Sequence, residues 1–165
     1  MMNEKELETA KKRAMYLLGG KDYSRKELTE KLLKNYSREA AEAAVSQMVE
    51  YGYLDDSRYA KKLARQYIEV RRYGKSRAKM MMIQKGLGPQ LVDEALEQYS
   101  AEDLIGEIVT IIEKKYYDRL FIEGLEGRKE MQKVMAALAR RGYGYEDIKT
   151  AVSAVRDRAE LFDDE

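Results

Sequence analysis

The stretch Tyr51-Gly52-Tyr53-Leu54-Asp55-Asp56-Ser57-Arg58-Tyr59-Ala60, YGYLDDSRYA at residues 51–60, decides how the whole chain is read. Two adjacent carboxylates among three tyrosines suit a metal or acid–base site. They equally suit a joint that ends one helix and caps the next. The first reading makes the chain an enzyme and the second a binding protein, and the flanking residues choose between them.

Helical periodicity lies on both sides. Leu7, Ala10, Ala14, Leu17 and Leu18 form an apolar stripe before the joint. Tyr59, Leu63, Ala64 and Tyr67 form one after it, and Leu104, Ile105, Ile108, Ile111 and Ile112 form a third. No segment alternates with a two-residue period, so the expected fold is all-α.

The breaks between helices share one plan. Lys34-Asn35-Tyr36-Ser37-Arg38, Lys85-Gly86-Leu87-Gly88-Pro89 and Arg141-Gly142-Tyr143-Gly144-Tyr145 each place a basic residue at a helix end, where the dipole is negative. Asn or Gly follows, the residues suited to a left-handed C′ position. An apolar or aromatic residue comes next, then Ser or Gly as N-cap of the following helix, with Pro89 at its first position in the second copy. The copies lie 51 and 56 residues apart, counted from Asn35 to Gly86 to Gly142.

Three tandem units of three helices result, over residues 1–54, 55–100 and 101–165. The first unit is expected to hold helices near Glu4–Leu18, Arg25–Lys34 and Arg38–Glu50. The second holds Asp56–Arg72, Ser76–Lys85 and Pro89–Tyr99, and the third Glu102–Tyr117, Arg128–Arg141 and Tyr145–Ala159. Units this small have small cores, so they are expected to pack on their neighbours as an elongated or curved body.

Within this plan the opening stretch is a joint. Gly52 ends a helix, Tyr53 and Leu54 anchor the crossing, and Asp55 or Asp56 caps the helix that follows. A metal site would need further oxygen ligands, and no acidic cluster in the sequence supplies them.

Composition narrows the chemistry. The chain has 165 residues, no cysteine and no histidine. Disulfides, thiolate catalysis, His-based triads and the usual catalytic zinc sites are thereby excluded. No apolar run reaches the ~20 residues of a membrane span, and the N-terminus does not read as a signal peptide. A cytoplasmic protein without cofactor or membrane partner is expected.

The segment Gly52 to Ala60, followed by Arg72-Tyr73-Gly74-Lys75-Ser76-Arg77 and Lys85-Gly86-Leu87, resembles the RecX family of recombinase regulators. The resemblance covers Leu7 to Tyr99 well, and Ala101 to Ala159 through helix pattern and the Gly142-Tyr143 junction. It departs at Ala78 and Met81, where the family usually has a larger aliphatic and an acidic residue. The resemblance implies three tandem three-helix repeats with no catalytic residues. It also implies a regulator that lies on the RecA recombinase filament on single-stranded DNA and restrains filament growth, ATP hydrolysis and strand exchange. A monomer is expected.

Charge marks the candidate interface. The net charge is +1, yet Val70 to Val92 contains no acid and six cations, Arg71, Arg72, Lys75, Arg77, Lys79 and Lys85. Asp93 to Glu165 carries 11 basic and 18 acidic residues, and Asp163-Asp164-Glu165 reads as a solvated acidic tail. The third helices of the first two units are acidic on balance, which argues against major-groove reading by them. The second helices are basic, and the last of them adds Arg128, Lys129, Lys133, Arg140 and Arg141. These cations are expected to contact phosphates, with Tyr73 either stacking on a base or packing in the core. A stand-alone nucleic-acid-binding protein using this basic track is the alternative function.

Two apolar features remain. Met80-Met81-Met82-Ile83 cannot face one side of a helix, so at least one Met is expected outside the core of its own unit. Tyr116, Tyr117, Leu120, Phe121 and Ile122 either dock a partner or close the last unit.

Overall fold

The computed structural model describes residues 3–163. Asp164 and Glu165 of the acidic end lie outside the described residues. Among the described residues there are nine α-helices and no strand. They are α1 (Glu4–Gly20), α2 (Arg25–Leu33), α3 (Arg38–Glu50), α4 (Asp56–Arg65), α5 (Lys75–Gln84), α6 (Pro89–Leu96), α7 (Ala101–Ile111), α8 (Gly124–Arg140) and α9 (Tyr145–Asp163). They fall into three consecutive sets of three.

Caps set most of the starts. Asn3 accepts from the Glu6 N–H at 2.6 Å, and Ser37 accepts from Ala40 at 3.2 Å. Ser24 and Glu27 form a reciprocal capping box at the start of α2, as do Ser100 and Asp103 at the start of α7. α8 begins at Gly124 rather than Arg128. Its Gly127 is buried directly against the Ile122 carbonyl, where any side chain would clash.

Three helices end in Schellman turns around a left-handed glycine: Gly52 (φ 78°), Gly86 (φ 89°) and Gly142 (φ 98°). In each, the residue after the glycine bonds five residues back, Tyr53 to Met48, Leu87 to Met82 and Tyr143 to Leu138. The break at Asn35 differs from expectation, because Asn35 is not left-handed. Asn35 and Tyr36 N–H groups both donate to Leu32 O, at 3.1 and 3.0 Å, so this turn closes without a left-handed residue.

The helix predicted to run from Asp56 to Arg72 changes pitch part-way. α4 passes at Arg65 into a π-helical turn, Gln66–Val70, closed by Arg71 N–H donating to Gln66 O at 3.0 Å. α7 passes likewise into Ile112–Tyr116, followed by a 3-10 turn, Tyr117–Phe121. The wider turns keep consecutive apolar pairs buried, Tyr67 with Ile68 and Ile111 with Ile112.

Two compact bodies form. One holds the chain up to Leu63 together with Met81–Ala95, and the other holds Ala64–Met80 and the chain from Leu96 onward. α4, α5 and α6 therefore each contribute to both. In the first body, Ala10 and Ala14 of α1 and Ala40, Ala41 and Ala44 of α3 are fully buried. These small residues let the helices approach, while Leu28, Leu32 and Met48 fill the core. In the second body Ile108, Ile112, Val134, Leu138, Ile148 and Ala151 form the centre between α7, α8 and α9. Of the methionine run, Met82 is buried and Met80 is 55% exposed.

The aspartate doublet serves two helices. Asp55 Oδ1 accepts from the Arg58 N–H at 3.1 Å and so caps α4. Asp56 Oδ1 instead accepts from the Arg25 N–H at 2.9 Å, meeting a free donor at the start of α2. Among the described residues no three His, Cys, Asp or Glu side chains are grouped to hold a metal ion.

Candidate nucleic-acid interface

The densest group of candidate cations stands where α5 begins, in the second body. The π turn delivers the chain into Arg71-Arg72-Tyr73-Gly74. Arg72 takes a left-handed φ of 53°, the only non-glycine among the described residues to do so. Its side chain pins the turn, with Nε 3.0 Å from Glu107 Oε2. The Nε–H is turned off that oxygen, so this is an ion pair more than an aligned hydrogen bond. Burial pushes the Glu107 carboxyl above its ordinary range, against the pull of Arg72.

Arg141, at the end of α8, grips the same turn. Its Nε donates to Arg72 O at 3.0 Å and its Nη2 to Arg71 O at 2.6 Å. The Gly74 N–H donates back to Arg141 O at 2.8 Å. The guanidinium fork suits two neighbouring carbonyls, a geometry that lysine lacks. Gly74 itself lies so close to the Gly142 carbonyl that a Cβ would overlap it.

Tyr73 is held inside this arrangement. Its N–H donates to Tyr67 O at 2.8 Å, and the two rings lie 6.2 Å apart. Arg77 Cζ sits 4.2 Å from the Tyr73 ring centroid and Arg141 Cζ 5.7 Å. A hydrogen bond with Arg71, joined by the charges of Arg77 and Arg141, holds the Tyr73 hydroxyl below the usual tyrosine range. The ring face therefore carries arginine.

The start of α5 is unlike the start of α2. In α2 the positive helix end is met by Ser24, Glu27 and Asp56. The first turn of α5 has no acid and reads Lys75-Ser76-Arg77 after a glycine. Free N–H groups, the positive dipole end and the cations Arg71, Lys75 and Arg77 then share one sign.

The structure thus gathers Arg71, Arg72, Tyr73, Lys75, Arg77 and Arg141, with Arg140 exposed beside the last. Lys79 lies half-buried one turn along α5. Arg128 and Lys129 are exposed near the start of α8, roughly 18 Å along the helix from Arg140 at 1.5 Å per residue. Lys133 pairs with Glu130 at 3.5 Å. Lys85 belongs to the first body, where its carbonyl accepts from the Ser24 hydroxyl at 2.5 Å. Glu107 and Gly74 were not legible as part of this group, since their partners lie far away in sequence.

Family models described as the first, second and third three-helix domains of RecX match residues 10–48, 55–96 and 107–152. A "Regulatory protein RecX" of Vibrio campbellii is 31% identical over 148 residues, covering 88% of this chain and 90% of the relative. The chain belongs to the RecX family. A "Regulatory protein RecX" of Caldanaerobacter subterraneus is 30% identical over 92% of this chain and 73% of its own. The crystal structure of RecX from Lactobacillus salivarius superposes with a TM-score of 0.84 at 19% identity, over 93% of this chain and 99% of that one. A second RecX crystal structure gives 0.78 at 20% identity, over 92% and 79%. Both share the fold.

Proposed function

We propose that this protein is a non-enzymatic regulator that binds the RecA recombinase filament on single-stranded DNA. It restrains filament growth, ATP hydrolysis and strand exchange, acting as a cytoplasmic monomer. Family membership supports the partner, and one observation carries the contact: the acid-free start of α5 with Arg71, Lys75 and Arg77 around it. Phosphates would meet guanidinium and ammonium groups together with the positive end of a helix. Such contacts position a protein on nucleic acid without reading sequence.

Roles within the group differ. Arg71, Lys75 and Arg77 reach phosphate, with Lys79, Arg128, Lys129, Lys133 and Arg140 extending the contact. Arg72, Tyr73 and Arg141 hold the turn in shape, with Tyr73 as the platform under Arg77.

The test is ATP hydrolysis by the cognate recombinase on single-stranded DNA with this protein titrated in. Loss of hydrolysis well below one molecule per recombinase subunit is expected. The variant Arg71→Ser/Lys75→Ser/Arg77→Ser should need about tenfold more protein, the scale of losing charged contacts worth ~1.4 kcal/mol in all. No change with excess folded wild-type protein overturns the reading. Tight binding to bare single-stranded DNA, with a salt slope that falls by about 2 in the triple variant, would favour the stand-alone binder instead.

A further inference from the structure

The connection from α7 to α8 closes the second body on one side and leaves an apolar surface on the other. Leu120 is buried, whereas Tyr117, Phe121 and Ile122 are 42, 44 and 40% exposed and Leu125 is 67% exposed. The Tyr117 and Phe121 rings pair at 5.0 Å between centroids. This exposure does not come from a slack loop. Arg156 Nη2 donates to Leu120 O at 3.2 Å, and Gly127 packs on the Ile122 carbonyl with no room for a side chain. Arg158 pairs with Glu113 at 3.0 Å and so holds α9 alongside. One turn further, α9 presents Leu161 and Phe162 at 72 and 69% exposure. Aromatic side chains fixed in place and left in water mark an interaction surface.

The charges around this surface select its partner. Asp118, Glu123, Glu126, Glu160 and Asp163 are exposed carboxylates beside it. Of the cations nearby, Arg119 and Arg158 are paired with Glu130 and Glu113, Arg156 is held by Leu120 O, and Arg128 and Lys129 stand exposed one turn beyond Leu125, which leaves carboxylates in the majority. Lys114 and Lys115 belong to the preceding turn. An acidic rim repels phosphate and attracts a basic protein surface. We propose that Tyr117, Phe121, Ile122 and Leu125, continued by Leu161 and Phe162, dock a protein surface that is apolar at its centre and basic at its rim. This rests on the proposed function, under which that partner is a recombinase subunit.

The experiment compares wild-type protein with Phe121→Ser/Leu125→Ser, both checked for helical content by circular dichroism. Affinity is measured for recombinase filaments on single-stranded DNA and, separately, for the bare DNA. The variant should lose about tenfold or more in filament affinity, as for truncated hot-spot side chains, with bare-DNA affinity unchanged. Phe121→Tyr should retain filament binding, and Glu123→Lys/Glu126→Lys should weaken it. Wild-type affinity in the serine variant overturns the docking surface alone. Failure of the wild type to bind filaments at all overturns the proposed function and this surface with it. A wild-type dimer in sedimentation that the serine variant abolishes assigns the surface to a second copy and overturns the proposal.

Discussion

Gly74 and Gly142 cross backbone to backbone in the second body: a Cβ on Gly74 would overlap the Gly142 carbonyl, and one on Gly142 would come within 2.6 Å of the Arg77 Cβ and backbone nitrogen. The crossing lets the Gly74 N–H reach Arg141 O, so the basic turn and the end of α8 form one unit. Gly74→Ala is expected to cost about 2 kcal/mol or more by overpacking. Thermal unfolding checks this. A melting temperature within experimental error of wild type would mean that the crossing is looser than it stands.

The first body makes the equivalent crossing with a side chain. Ser24 is fully buried, caps α2 by accepting from Glu27 N–H, and donates its hydroxyl proton to Lys85 O. Ser24→Ala removes the cap and strands a carbonyl, an expected loss of about 2 kcal/mol. Ser24→Thr should retain most of it where the added methyl fits. Urea unfolding of both variants decides, and equal midpoints for Ala and wild type would refute the double role.

The aspartate doublet predicts two different outcomes. Asp55→Ala should cost about 1 kcal/mol as a lost N-cap. Burial raises the Asp56 carboxyl above its ordinary value, outweighing the Arg25 N–H bond and the Arg25 charge. A raised carboxyl binds its proton more tightly in the folded state. Its contribution is therefore full below about pH 4 and lost as pH rises through the folded value. Asp56→Asn keeps the accepting oxygen without the charge. At pH 7 it should be at least as stable as wild type, with a flatter stability profile above pH 4. A marked loss at pH 7 would show that the ionised form is required.

Arg141 tests whether the turn is positioned rather than merely present. Arg141→Lys cannot serve both Arg71 O and Arg72 O. Losing one such bond, about 1 kcal/mol, should speed hydrogen exchange at the Tyr73 and Gly74 amides roughly fivefold. Filament affinity should fall with it while helical content stays constant. Unchanged exchange at these amides would remove Arg141 from this role.

Much of the architecture was legible because helix signals are local. Apolar spacing marked the helices, Ser37 and Pro89 marked starts, and Gly52, Gly86 and Gly142 marked ends by a backbone angle that other residues resist. Asn35 misled, since its turn closes on Leu32 O without a left-handed residue, so the backbone there does not call for Asn or Gly. The change of pitch after Arg65 was hidden, because Tyr67 and Ile68 fit an α-helical stripe nearly as well as a π turn.

The acid-free run from Val70 to Val92 was equally visible as a concentration of positive charge, since charge is written in residue type. Its internal division was not. Arg71 and Arg141 look alike in sequence, yet one faces outward and the other donates to backbone carbonyls 69 and 70 residues away. Asp55 and Asp56 also look alike, and only the fold sends Asp56 to Arg25. The physical reason is common to both cases. The partners are main-chain N–H and C=O groups, which nearly every residue carries, so no side-chain pattern marks them. Sequence determined which residues bear charge and where helices start and stop; tertiary structure alone decided which charged groups are held by backbone partners and which stay exposed.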